Sequence, residues 1–178
     1  HGNRDALKNV LNKVDDTSGE PQLDMVLGVA HQLLGVMDMA KGGLKGAPKF
    51  PQTGLLDVLW RGHVATGNKE LRTAVTTALT HMCEGGIYDH LGGGFARYSV
   101  DADWLVPHFE KMLYDNALQI DRLTEVWLEN KVLRYKTHIQ ETVGWNAKEM
   151  TTSDGAFASR MDAKSAGVVG SYYDWSPS

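Results

Sequence analysis

The chain has 178 residues, 42% of them hydrophobic and 22% charged, which is enough for one domain with a real core. Its formal net charge of -4 argues against a nucleic-acid partner, and no apolar run approaches the length of a membrane span. Cys83 is the only cysteine, so an intrachain disulfide is excluded; with no leader visible, the expectation is a reducing, cytoplasmic setting.

Taken in order, residues 3–14 read as a short helix with Leu7, Val10 and Leu11 on one side, and 15–21 as a polar turn. A second helix is expected over 21–40, where Leu23, Val26, Leu27, Ala30, Leu33, Leu34 and Met37 recur at three-and-four spacing. Residues 42–51 hold three glycines and two prolines, which excludes a regular helix. Lys49 within that loop reads as a solvated lysine. Helices follow over 54–66 and 69–83, the first closed by Gly67-Asn68. Cys83 extends the apolar face of the second and reads as a small buried hydrophobe.

Residues 84–119 are the densest stretch in both glycine and titratable groups. An irregular or β-hairpin excursion is expected over 86–103. A fifth helix is expected to begin at Pro107, a residue suited to the first helical position. Asn116 then falls on the buried face and needs hydrogen-bond partners, while His108 feels the positive helix end, which favours a neutral imidazole. A sixth helix spans 133–150, and a hairpin over 155–175 is flanked by Phe157 and Tyr172-Tyr173. Gly42-Gly43-Leu44, Gly85-Gly86-Ile87 and, more weakly, Asp154-Gly155-Ala156-Phe157 each follow a helix, which suggests a repeated helical hairpin.

The run from Gly85 to Ala117, Gly-Gly-Ile-Tyr-Asp-His-Leu-Gly-Gly-Gly-Phe-Ala-Arg-Tyr-Ser-Val-Asp followed by Trp-Leu-Val-Pro-His-Phe-Glu-Lys-Met-Leu-Tyr-Asp-Asn-Ala, resembles almost letter for letter the signature of the thioredoxin-domain-containing, spermatogenesis-associated (YyaL-like) protein family. Gly42 to Pro51 matches a second family motif loosely. The resemblance covers roughly residues 40–175. It implies an all-α fold, an (α/α) toroid of helical hairpins like that of six-hairpin glycosidases and sugar 2-epimerases. About three of six hairpins are present here, as one partial toroid domain over 1–178 without the thioredoxin-like domain of longer relatives. At three positions where the family is acidic, this chain carries Lys164, Ala166 and Val169.

The resemblance and the residues together point to a carbohydrate-active or sugar-binding domain, epimerase- or glycosidase-like. Its expected catalytic residues are His108, Asp115 and Asp101. His90, Arg97, Trp104, Tyr88 and Tyr98 are expected to bind substrate, the aromatics by stacking on a sugar ring. A neutral imidazole suits proton abstraction next to a carbonyl, whereas hydrolysis needs two carboxyl groups across the bond. The alternative is a non-catalytic interaction domain that works beside a thioredoxin-like module. No compact ligand spacing calls for a metal, and no cofactor is expected. An open arc of hairpins also leaves apolar faces uncovered, so self-association is expected through Leu7, Val10, Leu11, Val132, Leu133, Ile139 and Val143.

Overall fold

The computed structural model describes residues 23–165 and 167–173. Among them are five helices: α1 (Leu23–Val36), α2 (Thr53–Thr66), α3 (Lys69–Glu84), α4 (Leu113–Asn130) and α5 (Leu133–Glu149). The expected helix over 3–14 lies outside the described residues. Two-residue links join α2 to α3 and α4 to α5, so each pair folds back as a helical hairpin. The first link works as its composition demands. Gly67 takes a left-handed φ of 71° and returns its N–H to His63, while Asn68 caps α3 by accepting from the Glu70 and Leu71 N–H groups.

The apolar stripes face inward. Leu56, Leu59 and Trp60 of α2 meet Leu71, Val75, Leu79 and Met82 of α3, with Leu123 and Val126 of α4 and Tyr135 of α5 closing the core. Cys83 is buried in it, as its place on the α3 stripe predicts. Of the residues expected to form an uncovered face, Val132, Leu133 and Val143 are exposed and Ile139 packs against the core. Leu7, Val10 and Leu11 lie outside the described residues.

Among the described residues three two-stranded ladders, all antiparallel, decorate the helices: β1 (Tyr98–Ser99) with β2 (Pro107–His108), β3 (Lys111–Met112) with β4 (Arg160–Met161), and β5 (Lys164–Ser165) with β6 (Val168–Val169). This corrects the start of the fifth helix. Pro107 and His108 pair back onto Tyr98 and Ser99, and α4 begins only at Leu113. His108 and Glu110 therefore lie outside the helix, and the helix-end argument for a neutral His108 falls away. The C-terminal stretch is likewise two ladders rather than one hairpin, because Arg160 and Met161 leave to pair with Met112 and Lys111.

Three turns repeat one hydrogen-bond scheme. After α1, Met37 bridges Leu44, the Asp38 N–H reaches Gly43 O (2.8 Å) and the Lys45 N–H reaches Val36 O (3.2 Å). After α3, Tyr88 bridges Phe95, Asp89 N–H reaches Gly94 O (3.0 Å) and Ala96 N–H reaches Ile87 O (2.7 Å). After α5, Thr151 bridges Phe157, Thr152 N–H reaches Ala156 O (2.8 Å) and Ala158 N–H reaches Met150 O (2.7 Å). The repeat read from the glycines is thus present, but the second member is Gly93-Gly94-Phe95 and not Gly85-Gly86-Ile87.

In the first two turns the resemblance extends to side chains. Asp38 and Asp89 each accept two N–H groups of their own turn on Oδ1. Each gives Oδ2 to a buried lysine: Lys49 at 2.8 Å and Lys111 at 2.7 Å. Each ammonium also donates to a turn carbonyl, Gly42 or Gly93, at 2.7 Å, and faces a tryptophan, Trp104 or Trp145. Lys49 is thus a buried anchor rather than a solvated lysine. The paired lysine holds Asp38 well below the usual carboxylate range, at about 2.

Candidate functional site

Among the described residues, two clefts border the β1–β2 ladder. The smaller, of about 260 Å³, is lined by Phe50 to Leu55, Arg97, Tyr114, Asp115 and Leu118. One wall is the turn into α2, where Gln52 holds a left-handed φ of 49° and supplies no side-chain cap. The other is the first turn of α4, which carries Tyr114 and Asp115. Arg97 reaches across from the strand, its guanidinium bonded to Glu110 Oε2 at 3.0 Å and to the Tyr114 hydroxyl at 3.4 Å. Phe50 stacks on Tyr98 (centroids 4.6 Å apart), and Tyr98 stacks in turn on His108 (4.7 Å).

Asp115 is the unusual group in this cleft. Its Oδ2 is buried without a hydrogen-bond partner. Burial pushes its carboxyl up to about 6; Arg97 opposes that shift and the Glu110 carboxylate adds to it. A carboxyl of that kind gains or loses a proton near neutral pH, the property a general acid or base needs. His108 Nδ1 is also buried and unpartnered.

The larger cleft, about 590 Å³, is lined by Gly86 to Gly92, Ala96, Pro107, Phe109, Lys111, Tyr172 and Tyr173. Phe109 and Tyr173 lie nearly parallel at 5.2 Å, and Tyr172 stands edge-on to Tyr173 at 5.1 Å. Lys111, paired with Asp89, is the cationic group of its lining, and burial lowers its pKa against the opposing pull of Asp89.

The expected site residues divide among three fates. Arg97 and Asp115 meet in the smaller cleft, with Tyr98 and His108 stacked behind its aromatic wall. Tyr88 and His90 border the larger one. Tyr88 is nevertheless almost fully buried, with its hydroxyl bonded to Glu141 and its ring against His138 and Phe95, so it presents no open face for stacking. His90 is exposed and its Nε2 lies 3.1 Å from Gly85 O.

Trp104 and Asp101 serve the loop between β1 and β2. Trp104 is wholly buried against Gly43 and Gly85, with Nε1 donating to Lys41 O at 2.8 Å, so it has no face for a sugar. Asp101 accepts the N–H groups of Asp103, Leu105 and Val106; burial alone raises its pKa, but these bonds outweigh it and keep the carboxyl low. It is therefore a clamp on that loop and far from His108's stack in chemical role. Reading the sequence missed Phe50, Tyr114, Phe109 and Lys111. The lysine had a signal: Asp38 and Asp89 each precede a glycine by four residues, and a buried lysine answers each pair.

No family model matches the chain. Human spermatogenesis-associated protein 20 is 36% identical over 149 residues, 78% of this chain and 19% of that protein. Its rat counterpart is 48% identical over 85 residues, 45% of this chain and 11% of that protein. The chain thus spans about a fifth of the length of the curated relatives it matches. Among solved structures, a sugar epimerase from a ruminal bacterium superposes with a TM-score of 0.69 at 15% identity, covering 79% of this chain and 39% of that one. Cellobiose 2-epimerase from Spirochaeta thermophila gives 0.65 at 21% identity, over 82% and 41%. The fold is therefore that of an (α/α) toroid, of which the chain supplies an arc of helical hairpins. In sequence, the chain is a relative of the spermatogenesis-associated proteins, matched over one segment of their length.

Proposed function

We propose that the chain binds a sugar or a similar polyhydroxylated compound in the smaller cleft, with Asp115 as the group that exchanges a proton with it. One observation carries this reading: the orphaned, buried Oδ2 of Asp115 borders a cleft that also holds the Arg97 guanidinium and the Phe50 ring. A buried polar atom without a partner calls for one, and a ligand hydroxyl supplies it. Arg97 offers N–H groups to a neighbouring oxygen, and the exposed part of Phe50 suits the C–H face of a sugar ring. At about 260 Å³ the cleft lies below the usual range for drug-sized ligands and suits a single ring.

The supply of carboxylates favours proton abstraction, as in epimerisation, over hydrolysis. Hydrolysis asks for two free carboxyl groups about 5–10 Å apart. Among the described residues around this cleft, Glu110 is committed to Arg97 and Arg160, which leaves Asp115 as the free carboxyl. His108 stands behind Tyr98 and acts here as a positioning residue. The fold similarity to sugar epimerases supports the ligand class.

The second reading, a non-catalytic interaction domain, draws on the C-terminal ladder. Lys164 and Val169, at positions acidic in the resembling family, pair with each other there and are exposed. Titration calorimetry with a panel of neutral mono- and disaccharides separates the two. The sugar reading expects saturable binding that Asp115→Asn and Arg97→Ala weaken at least tenfold while the variants keep a folded spectrum. Absence of any response across the panel, or a response indifferent to Asp115→Asn, favours the interaction domain.

A further inference from the structure

The larger cleft is a different kind of space. Its walls are the backbone of the glycine-rich turn, the side chains of Ile87, Leu91 and Ala96, and the aromatic corner of Phe109, Tyr172 and Tyr173. Its volume of about 590 Å³ falls within the range of small-molecule sites, which are mostly apolar with a few placed polar groups.

The two lysine anchors decide the charge such a ligand carries. Lys49 makes the same bonds to Asp38 and Gly42 as Lys111 makes to Asp89 and Gly93, yet Lys49 is sealed away beneath Trp104. Asp89 thus balances the charge of Lys111, which is no vacant anion site, and the two bonds use two of the three ammonium N–H groups. What distinguishes the second anchor is a second ring, Tyr173, at 5.2 Å from the ammonium, and an opening beside it. Lys111 and Asp89 together give the cleft both a donor group and an acceptor group with no net charge. An anion or cation entering here leaves water and gains no opposite net charge in return. A neutral ligand gains a polar contact and keeps its apolar faces on the walls.

The aromatic corner sets the shape. Phe109 and Tyr173 stack on each other, Tyr172 stands edge-on to Tyr173 at 81°, and the exposed Tyr172 ring is the aromatic surface the corner leaves open to a flat ligand. A sugar, by contrast, leaves most of its hydroxyl groups against the apolar walls. We propose that this cleft is a second binding site, separate from the Asp115 cleft, for an uncharged planar aromatic compound bearing a hydroxyl or carbonyl group.

The test uses 2-naphthol as the probe, followed by its fluorescence on titration with the intact chain. The expected result is saturable binding. Tyr172→Ala and Leu91→Ala alter exposed side chains, and so leave the fold in place. Each is expected to weaken binding roughly five- to tenfold, the scale of one aromatic contact or less than one buried side chain. The charged analogues 2-naphthoate and 2-naphthylmethylammonium are expected to bind at least tenfold more weakly. Val64→Ser, an exposed change on α2 outside the cleft, is expected to leave the affinity unchanged. The proposal is overturned if 2-naphthol shows no saturation up to its solubility limit, if both cleft variants bind it as the parent does, or if naphthoate binds as tightly as naphthol. None of these outcomes depends on whether a sugar binds beside Asp115.

Discussion

Lys49 donates to Asp38 at 2.8 Å from a position with almost no solvent exposure, and this contact anchors the turn that follows the first described helix. Removing one partner of a fully buried ion pair costs about 3–5 kcal/mol, but Asp38 keeps part of its carboxylate in water, so stranding it costs less, on the order of 1–3 kcal/mol. Lys49→Met is therefore expected to lose stability on that scale in urea denaturation. Adding Asp38→Asn keeps the Oδ1 acceptor for the turn, removes the stranded charge and returns part of the loss. If Lys49→Met unfolds at the parent's urea midpoint, the ammonium is not the anchor. The same pair sets an acid limb. A carboxyl depressed to about 2 contributes stability above its unfolded pKa, and that contribution fades as the pH falls from about 4 towards 2.

Asp115 has the opposite sign. Its folded pKa is raised to about 6 from an ordinary value of 3.8, so between those values the folded state holds the proton that the unfolded state has released. Stability from this group is full below the lower value and declines as the pH rises through the higher one. Asp115→Asn removes the decline. Measured as a difference in unfolding free energy, the variant is expected to gain on the parent between pH 4 and pH 7. A difference that stays flat across that window rejects the buried, orphaned carboxyl and with it the proton-exchange role.

Glycine is required in the first turn for a specific reason at Gly42. Its φ is +73°, and a Cβ there would sit 2.3 Å from the Cα of Ala78, a backbone atom in the middle of α3. Gly46 has a φ of +93° but open space around it. Gly46→Ala is expected to cost about 1–2 kcal/mol from backbone conformation alone. Gly42→Ala is expected to cost clearly more, because a helix backbone cannot move aside. Equal unfolding midpoints for the two variants in guanidinium would contradict the close approach.

Burial pushes the Cys83 thiol up to about 12. The thiolate is the reactive form, so the native protein is expected to resist an aromatic disulfide reagent at pH 8. Modification is expected at the rate of unfolding, and rapid labelling of the native chain would place the thiol outside the core.

Much of the helical frame was legible because packing, capping and periodicity agree there. The stripe from Leu71 to Met82 is buried along α3, and the stop at Gly67-Asn68 coincides with the observed end of α2, whereas the capping of α3 by Asn68 emerges only in the structure. Asn116 was legible as a buried amide that needs partners, and it has three, accepting from the Phe95 N–H and donating to the carbonyls of Phe95 and Met112. The start of α4 was not legible. Pro107 suits a helix start, but it suits an edge strand equally, and only the distant Tyr98–Ser99 segment decides between them. The same limit governed Trp104. An indole in a polar loop reads as a stacking platform until Gly43, far away in sequence, closes over the ring while Gly85 packs on the Trp104 backbone. Arg97 and Asp115 could be named as candidates because charge in a glycine-rich region is visible locally, and the fold brings both to the smaller cleft. Phe50 and Tyr114, which complete their cleft, come from separate segments that only the fold brings together.

Each turn is also stitched to the next one along the arc. Lys49 bridges Ser99 of the second unit, and Lys111 bridges Met161 of the third. The third turn has Thr152 where the others have an aspartate, and among the described residues no lysine anchors it. Linked in this way, the units fail in sequence: a break passes only to a neighbour, and it starts where the clasp is weakest. Amide exchange should therefore run faster through the turn after α5 than through the lysine-clasped Asp38 and Asp89 turns.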